Sequence, residues 1–193
     1  MRRARFILAF VQFVDVLALG VIVVTIPATA GRFGLAPWAA VATLLIVPVT
    51  AALAAPPLRR ASDRWGRKPV LVATGLLTAE ALFVAAWAAD VYMLVLSRLA
   101  LGVAVADVAV VVAAGTDLVR HHGAGRERLP FAARGYLLGA VGAPLLTFAL
   151  SPFGYGGPAY GGAVLAVIAL IEVVALFEET CPAGCEDGRA PVA

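Results

Sequence analysis

The densest run of charge in the chain is Arg59-Arg60-Ala61-Ser62-Asp63-Arg64-Trp65-Gly66-Arg67-Lys68-Pro69-Val70-Leu71. It holds five cations and one carboxylate, and the sequence on either side is almost entirely apolar. Each flanking apolar segment is long enough to cross a bilayer, which takes about 20 residues of helix. Because lysine and arginine collect in the loops between membrane spans, the run predicts a short loop at a membrane surface.

Composition supports a membrane protein. Of the 193 residues, 62% are hydrophobic and 14% are charged, and the mean hydropathy is +0.96. Such a chain has too little polar surface to cover a soluble globule, so we expect the lipid bilayer to be its main partner. The formal net charge of +3 does not imply a nucleic-acid partner, because the cations stand in loops between apolar segments, where an anionic lipid surface attracts them.

Hydropathy predicts an all-α integral membrane protein with six transmembrane helices. They cover 6–27, 38–58, 70–89, 91–119, 131–151 and 158–177, with a turn at 28–37 and a second basic loop at 120–130. Residues 1–5 form a short N-terminal segment, 6–177 the membrane domain and 178–193 a tail that we expect to be disordered. A cleaved signal peptide is the alternative for the first helix, although its apolar run is longer than a signal core and contains Asp15.

The distribution of cations predicts the orientation. Thirteen of the fifteen lysines and arginines fall on one side of the six segments, whereas Arg32 lies on the other and Arg98 is within a helix. The side that is rich in cations faces the cytoplasm, so we expect a multi-pass protein of the cell membrane with both termini inside. Cys181 and Cys185 then lie in a reducing compartment; a metal clip and an idle tail both remain open for them.

Five charged residues lie at least five residues from the ends of the predicted helices: Asp15, Glu80, Arg98, Asp107 and Glu172. Charge in hydrocarbon is costly unless it is paired or faces water, so these are the candidates for function. Counting about 1.5 Å per residue from the helix ends puts Asp15 and Arg98 near the same depth, which allows the two residues to meet. Asp107 and Glu172 are expected nearer the cytoplasmic end. The alternative is that each group only pairs with a neighbour or reaches to the surface.

Enzyme chemistry is not indicated. The predicted helices contain no histidine-rich metal cluster, and Ser62, Ser97 and Ser151 have no base nearby in the sequence. His121 and His122 are adjacent in a basic loop, where a solvated pair is the simpler interpretation. We therefore expect no cofactor and no metal.

The charged run resembles the loop between the second and third helices of major facilitator superfamily transporters. The resemblance rests on Asp63, Arg64, Gly66, Arg67 and Lys68, followed by Leu71. It weakens upstream, where Arg59 and Ala61 stand in the places of the family's glycine and leucine. It implies that this loop helps to hold the inward and outward conformations apart.

Two further elements are similar to the same family. Arg98 and Gly102 resemble the Arg-x-x-x-Gly element of the fourth helix, which is associated with proton coupling in drug exporters, and Asp15 with Pro27 resembles the first-helix pattern.

The fifth predicted helix adds a similarity to the glycine-rich motif of proton-driven antiporters. It is carried by Gly135, Gly139, Gly142 and Pro144, although Leu146 and Thr147 stand near the place of the closing glycines. The three glycines fall on one helix face and allow close helix approach, and Pro144 is expected to bend the helix.

An internal repeat agrees with the resemblance. Leu17-Ala18-Leu19-Gly20-Val21 recurs as Leu99-Ala100-Leu101-Gly102-Val103 in the fourth helix. This is the spacing expected of two inverted three-helix repeats, as in one half of a facilitator.

Facilitators have twelve helices with the substrate path between two six-helix halves, and this sequence corresponds to the first half. The resemblance implies transport of a small molecule, as proton-coupled export, by a homodimer or beside a separate second half. A lone six-helix unit would leave Asp15 and Arg98 facing lipid. The alternatives are an inactive transporter remnant and a membrane interaction subunit that transports nothing.

Overall fold

The computed structural model describes residues 2–121 and 130–179. The predictions for most of the second basic loop, which includes His122, and for Cys181 and Cys185 concern residues outside these ranges. Within them the chain is helical throughout, and six helices are long and apolar enough to cross a membrane. Those spans are Arg3–Val24, Pro37–Trp65, Arg67–Trp87, Val91–Thr116, Ala133–Phe153 and Gly157–Leu176.

The first span is helix α1 (Arg2–Val24), and a second helix, α2 (Ile26–Phe33), follows at once. The prediction of a turn over 28–37 was therefore wrong for most of that segment. Pro27 stands at the start of α2, where a missing N–H and a fixed φ are compatible with a helix. The true turn begins at Gly34, which adopts the left-handed conformation at φ 61°.

The second and third spans are α3 (Pro37–Trp65) and α4 (Arg67–Trp87). The charged run is not an extended loop, because α3 continues through Pro48, Pro56 and Pro57 and only Gly66 separates the two helices. Neighbouring helices in a membrane protein can compensate for the hydrogen bonds that an internal proline removes. Gly66 has φ 101°, a conformation that side chains strongly disfavour, so glycine permits this one-residue reversal.

The fourth span is interrupted. It consists of α5 (Val91–Ala104), a 3-10 turn over Val105–Asp107 and α6 (Val108–His121). Asp90 caps the start of α5 by accepting a hydrogen bond from the Met93 N–H at 2.8 Å. A tighter turn in mid-helix changes the direction of the side chains that follow it, and such turns often mark functional positions.

The last two spans are α7 (Pro130–Leu150), which ends in a short 3-10 turn over Ser151–Phe153, and α8 (Gly157–Leu176). Pro144 lies inside α7. The chain after α8 is described through Glu179, whose carboxylate contacts the start of α4. The tail expected to be disordered was predicted to begin at residue 178, yet Glu179 makes a defined tertiary contact.

The packing of the spans has the symmetry of two repeats. The first span packs most extensively against the fifth, the fourth packs against the second in the same way, and α4 and α8 pack against each other. Exchanging spans one to three with spans four to six reproduces these pairs. The six-helix fold with two inverted three-helix repeats is thus the fold predicted from the sequence.

Each copy of the repeated pentapeptide places its glycine at one of these equivalent crossings. A Cβ on Gly20 would lie 2.3 Å from the Ala143 Cβ of α7. A Cβ on Gly102 would lie 2.7 Å from both the Thr50 Cβ and the Val47 carbonyl oxygen of α3. The repeat therefore preserves the close contact that each crossing requires.

Candidate functional site

The most polar place in the helical interior surrounds Asp15 at the middle of α1. Its side chain is 4% exposed and lies against the carboxyl group of Asp107, which is 1% exposed, and beside the Thr78 hydroxyl of α4. Asp15 Oδ2 and Asp107 Oδ1 are buried without a hydrogen-bond partner in the described part of the chain. Two carboxyl groups thus meet in a buried site, and no lysine or arginine of the described residues pairs with them there.

Thr74 of α4 gives this pair a hydrogen bond that can reverse. Its Oγ1 lies 2.7 Å from Asp107 Oδ2 and 3.1 Å from the Val70 carbonyl oxygen, yet a hydroxyl has one hydrogen to donate. An ionised Asp107 accepts that hydrogen. A protonated Asp107 instead donates to Thr74 Oγ1, and the hydroxyl then donates to the Val70 carbonyl. Asp107 Oδ2 therefore keeps its hydrogen bond to Thr74 in both protonation states.

The observed helix ends explain why the sequence did not reveal this pair. Asp107 was expected nearer the cytoplasmic end than Asp15, but α1 begins at Arg2 and α6 ends at His121. Asp15 lies 13 residues after the first of these ends and Asp107 lies 14 residues before the second, which is about 20 Å in each case. Glu172, the other carboxylate expected at that depth, is half-buried in α8 and its Oε2 has no partner among the described residues.

Arg98 lies in a different layer. It lines a small cavity with Val21, Thr25 and Tyr155, and its side chain is 3% exposed. Val21 of α1 and Thr25, which follows the end of α1, are six and ten positions beyond Asp15, or about 9–15 Å along the helix direction. No ion pair joins Asp15 to Arg98, so the two residues, which the depth count allowed to meet, lie apart in the structure.

The Arg98 guanidinium has unsatisfied donors. Its Nε and Nη1 atoms are buried without a hydrogen-bond partner in the described residues. The expectation that a lone six-helix unit would leave Asp15 and Arg98 facing lipid was wrong, because neighbouring helices of the same unit cover both. The positive charge of Arg98 is nevertheless uncompensated here.

The charged run forms a second polar cluster. Arg67 is 8% exposed, and its guanidinium pairs with Asp63 one turn earlier and donates to Ser62 Oγ at 3.0 Å. Glu179 accepts the backbone N–H of Arg67 at 2.9 Å and that of Lys68 at 3.0 Å. A carboxylate in this position satisfies unpaired donors at the start of α4 and complements the helix dipole. Arg64 is exposed and lies outside this cluster.

Sequence reasoning missed Glu179 because it falls 112 residues after Arg67, in a segment expected to be disordered. A single acidic residue following an apolar helix gave no signal of that contact.

The three glycines of the fifth span all face α1. Added Cβ atoms would lie 2.2 Å from the Ala9 carbonyl oxygen at Gly135, 2.6 Å from the Phe13 carbonyl oxygen at Gly139 and 3.2 Å from the Phe13 ring at Gly142. Pro144 is exposed on α7. The three glycines allow α7 to pack closely against α1, the helix that carries Asp15, although none of them reaches the carboxyl pair.

Comparison with known protein families gives a match over most of the chain. The family model described as Major Facilitator Superfamily matches residues 8–185. The search of curated proteins found no match.

Two solved structures share the fold. The human organic anion transporter MFSD10 (TETRAN) has 20% sequence identity and a TM-score of 0.72, over 94% of this chain and 48% of its own. The peptide transporter POT, in a mutant form in complex with sulfate, also has 20% identity, with a TM-score of 0.73 over 89% of this chain and 37% of its own. The chain thus spans about half, or less, of the length of these proteins.

Proposed function

Because the chain belongs to the Major Facilitator Superfamily, we propose that it moves a small molecule across the cell membrane as one six-helix half of a proton-coupled exporter. The solved structures that share its fold are described as an organic anion transporter and a peptide transporter. Those two descriptions differ, so we propose no narrower substrate class than a small molecule.

The Asp15–Asp107 pair carries the proposal of proton coupling. Two carboxyl groups in contact repel each other when both are ionised, and one proton held between them removes the repulsion. The reversible hydrogen bond to Thr74 lets Asp107 gain or lose that proton while its Oδ2 keeps a partner. Coupling therefore belongs to Asp15 with Asp107, rather than to Asp15 with Arg98.

Arg98 has a separate role in this proposal. A buried guanidinium with two unsatisfied nitrogen atoms is costly in the present conformation. Any conformation or substrate that brings an acceptor to Arg98 lowers that cost. Such a difference in stability between two states is what a carrier needs to couple binding to movement.

We propose a second six-helix half because α3 and α7 expose most of their apolar surface. Only 17% of the residues in the apolar part of each span are buried, compared with 61% in the first span. On α3 the exposed large side chains follow one helix face, at Trp38, Val41, Leu45, Val49 and Leu53. This surface suits a second six-helix unit, which is either a second copy of the chain or a separate polypeptide.

The charged run serves the conformational cycle in this proposal. Arg67 joins Asp63 at the end of α3, and Glu179 joins the start of α4 to the end of α8. These contacts hold the cytoplasmic ends of three spans together. A change of conformation that separates the spans has to break them.

Infrared difference spectroscopy tests the proton site without a known substrate. The purified chain is titrated in lipid, and the C=O band of a protonated carboxyl group is followed. We expect Asp15→Asn and Asp107→Asn each to remove a titrating band, while Asp90→Asn leaves it in place because asparagine also caps a helix. A band that survives both substitutions in the pair would contradict the proposed site.

Transport and assembly are then measured on the same variants. Inverted vesicles with an imposed pH gradient are challenged with a panel of compounds, and dissipation of the gradient reports exchange. We expect Asp15→Asn to abolish it while the chain still migrates as a dimer or hetero-complex. A monomer without any flux would favour the alternative of an inactive remnant or a non-transporting subunit.

A further inference from the structure

An open groove of about 590 Å³ runs between α4 and α8 on the outer surface of the six-helix unit. Its walls are apolar or aromatic, with Leu76, Phe83, Tyr160, Val164 and Ile168 among its lining residues. Phe83 and Tyr160 meet edge to face across the groove with their ring centroids 5.7 Å apart. The volume is within the range of sites that hold drug-sized molecules, about 300–1,000 Å³.

One carboxylate lines this groove. Glu80 is exposed, and no hydrogen bond or ion pair to it is made by the described part of the chain. It lies 13 residues after Arg67 and 7 before Trp87, or about 20 Å and 10 Å from the ends of α4. An ionised carboxylate at that depth is costly unless a cation compensates it.

We propose that this groove binds a membrane-soluble organic cation, a hydrophobic amine whose ammonium group donates to the Glu80 carboxylate. The apolar body of the amine packs along Val164 and Ile168, and its positive charge also interacts favourably with the faces of Phe83 and Tyr160. The site is reached from the bilayer and is separate from the Asp15–Asp107 pair. The inference does not depend on the proposed transport function.

Other occupants fit the carboxylate less well. A second copy of this chain has no cation to offer at this depth, because Arg98 is the only one in the middle of a described span and its side chain is 3% exposed. The ammonium group of a lipid stays at the membrane surface, about 10 Å away along α4. A free hydrophobic amine has neither restriction.

Photoaffinity labelling of the full chain in nanodiscs of zwitterionic lipid tests the site. The probe is a long-chain alkylamine that bears a photoreactive diazirine, and its control is the matched uncharged alcohol. We expect the amine to label α4 and α8 peptides in a saturable manner, and excess unlabelled amine to prevent the labelling. The alcohol should label the same peptides weakly and without saturation.

Substitutions distinguish the contribution of the Glu80 charge from that of the shape of the groove. Glu80→Gln should raise the half-saturation concentration of the amine at least about tenfold and leave alcohol labelling unchanged, because a charge-assisted hydrogen bond is lost. Val164→Trp should reduce labelling by both probes, because its indole fills the groove. Glu172→Gln is the matched control, since this carboxylate of α8 does not line the groove, and it should change neither.

Three results would overturn the inference. Equal labelling by amine and alcohol would show that charge plays no part, and an unchanged half-saturation concentration in Glu80→Gln would separate the binding from this carboxylate. Cross-linking of the groove to a membrane protein with lysine or arginine in its span would assign the surface to a partner helix instead.

Discussion

Adding a methyl group at residue 20 of α1 should destabilise its contact with α7. Removing the methyl group of Ala143 in α7 as well should restore the stability. In Gly20→Ala the new Cβ would be 2.3 Å from the Ala143 Cβ, more than 1 Å closer than the 3.4 Å of an ordinary contact. The two helices must separate or distort, and overpacking of this kind costs about 1–3 kcal/mol. Ala143→Gly alone loses about 1 kcal/mol of helix propensity.

The double variant Gly20→Ala with Ala143→Gly moves the methyl group from one helix to the other. The gain of helix propensity at residue 20 then offsets the loss at residue 143, so we expect a free energy of unfolding within about 1 kcal/mol of the original. The coupling between the two substitutions should therefore be about 1–3 kcal/mol, which reflects the removed overlap.

Unfolding in mixed micelles with increasing sodium dodecyl sulfate gives these free energies. The control is Gly31→Ala in α2, where an added Cβ meets no atom within 4 Å, and it should be neutral or slightly stabilising. If Gly20→Ala is no more harmful than Gly31→Ala, or if the double variant is as unstable as the sum of its parts, the close contact between α1 and α7 is incorrect.

Three further predictions concern the charged run and the orientation. In intact cells, a cysteine in place of Arg32 should react with an impermeant thiol reagent and one in place of Arg64 should not; labelling of position 64 would reverse the proposed topology. Asp63→Asn should impair transport by weakening its pairing with Arg67 while membrane insertion stays normal, whereas a run that only anchors the chain would tolerate this change. Glu179→Gln should lower the free energy of unfolding by about 1 kcal/mol in the same micelle assay because α4 loses a negative charge at its start, and no change would mean that the carboxylate contributes nothing there.

The six spans were predictable because hydropathy and the positions of cations can be read from the local sequence alone. A membrane constrains both of them strongly. The ends of the spans were less predictable. The first two spans were predicted to end at residues 27 and 58, yet Pro27 stands at the start of a second helix and Pro56 lies inside α3. A proline in a sequence does not reveal whether a neighbouring helix will compensate for its missing hydrogen bond.

The polar sites show what sequence reasoning lacks. Asp15 was identified as an important residue, but it was matched with Arg98 on depth alone. Depth was counted from predicted ends, yet α1 begins four residues before the predicted start at residue 6 and α6 ends two residues after the predicted end at residue 119. The Thr74 hydroxyl also gave no signal, since a threonine in an apolar helix usually bonds to its own backbone.

The contact of Glu179 with the start of α4 has a consequence for biosynthesis. Arg67 and Glu179 are 112 residues apart, so the carboxylate is synthesised about 6–22 s after Arg67 at about 5–20 residues per second. During that interval the first N–H groups of α4 have only water or lipid headgroups as acceptors. The start of the third span therefore lacks this carboxylate contact until the sixth span has been synthesised. Glu179, one of the last described residues of the chain, then completes the contact between the two repeats.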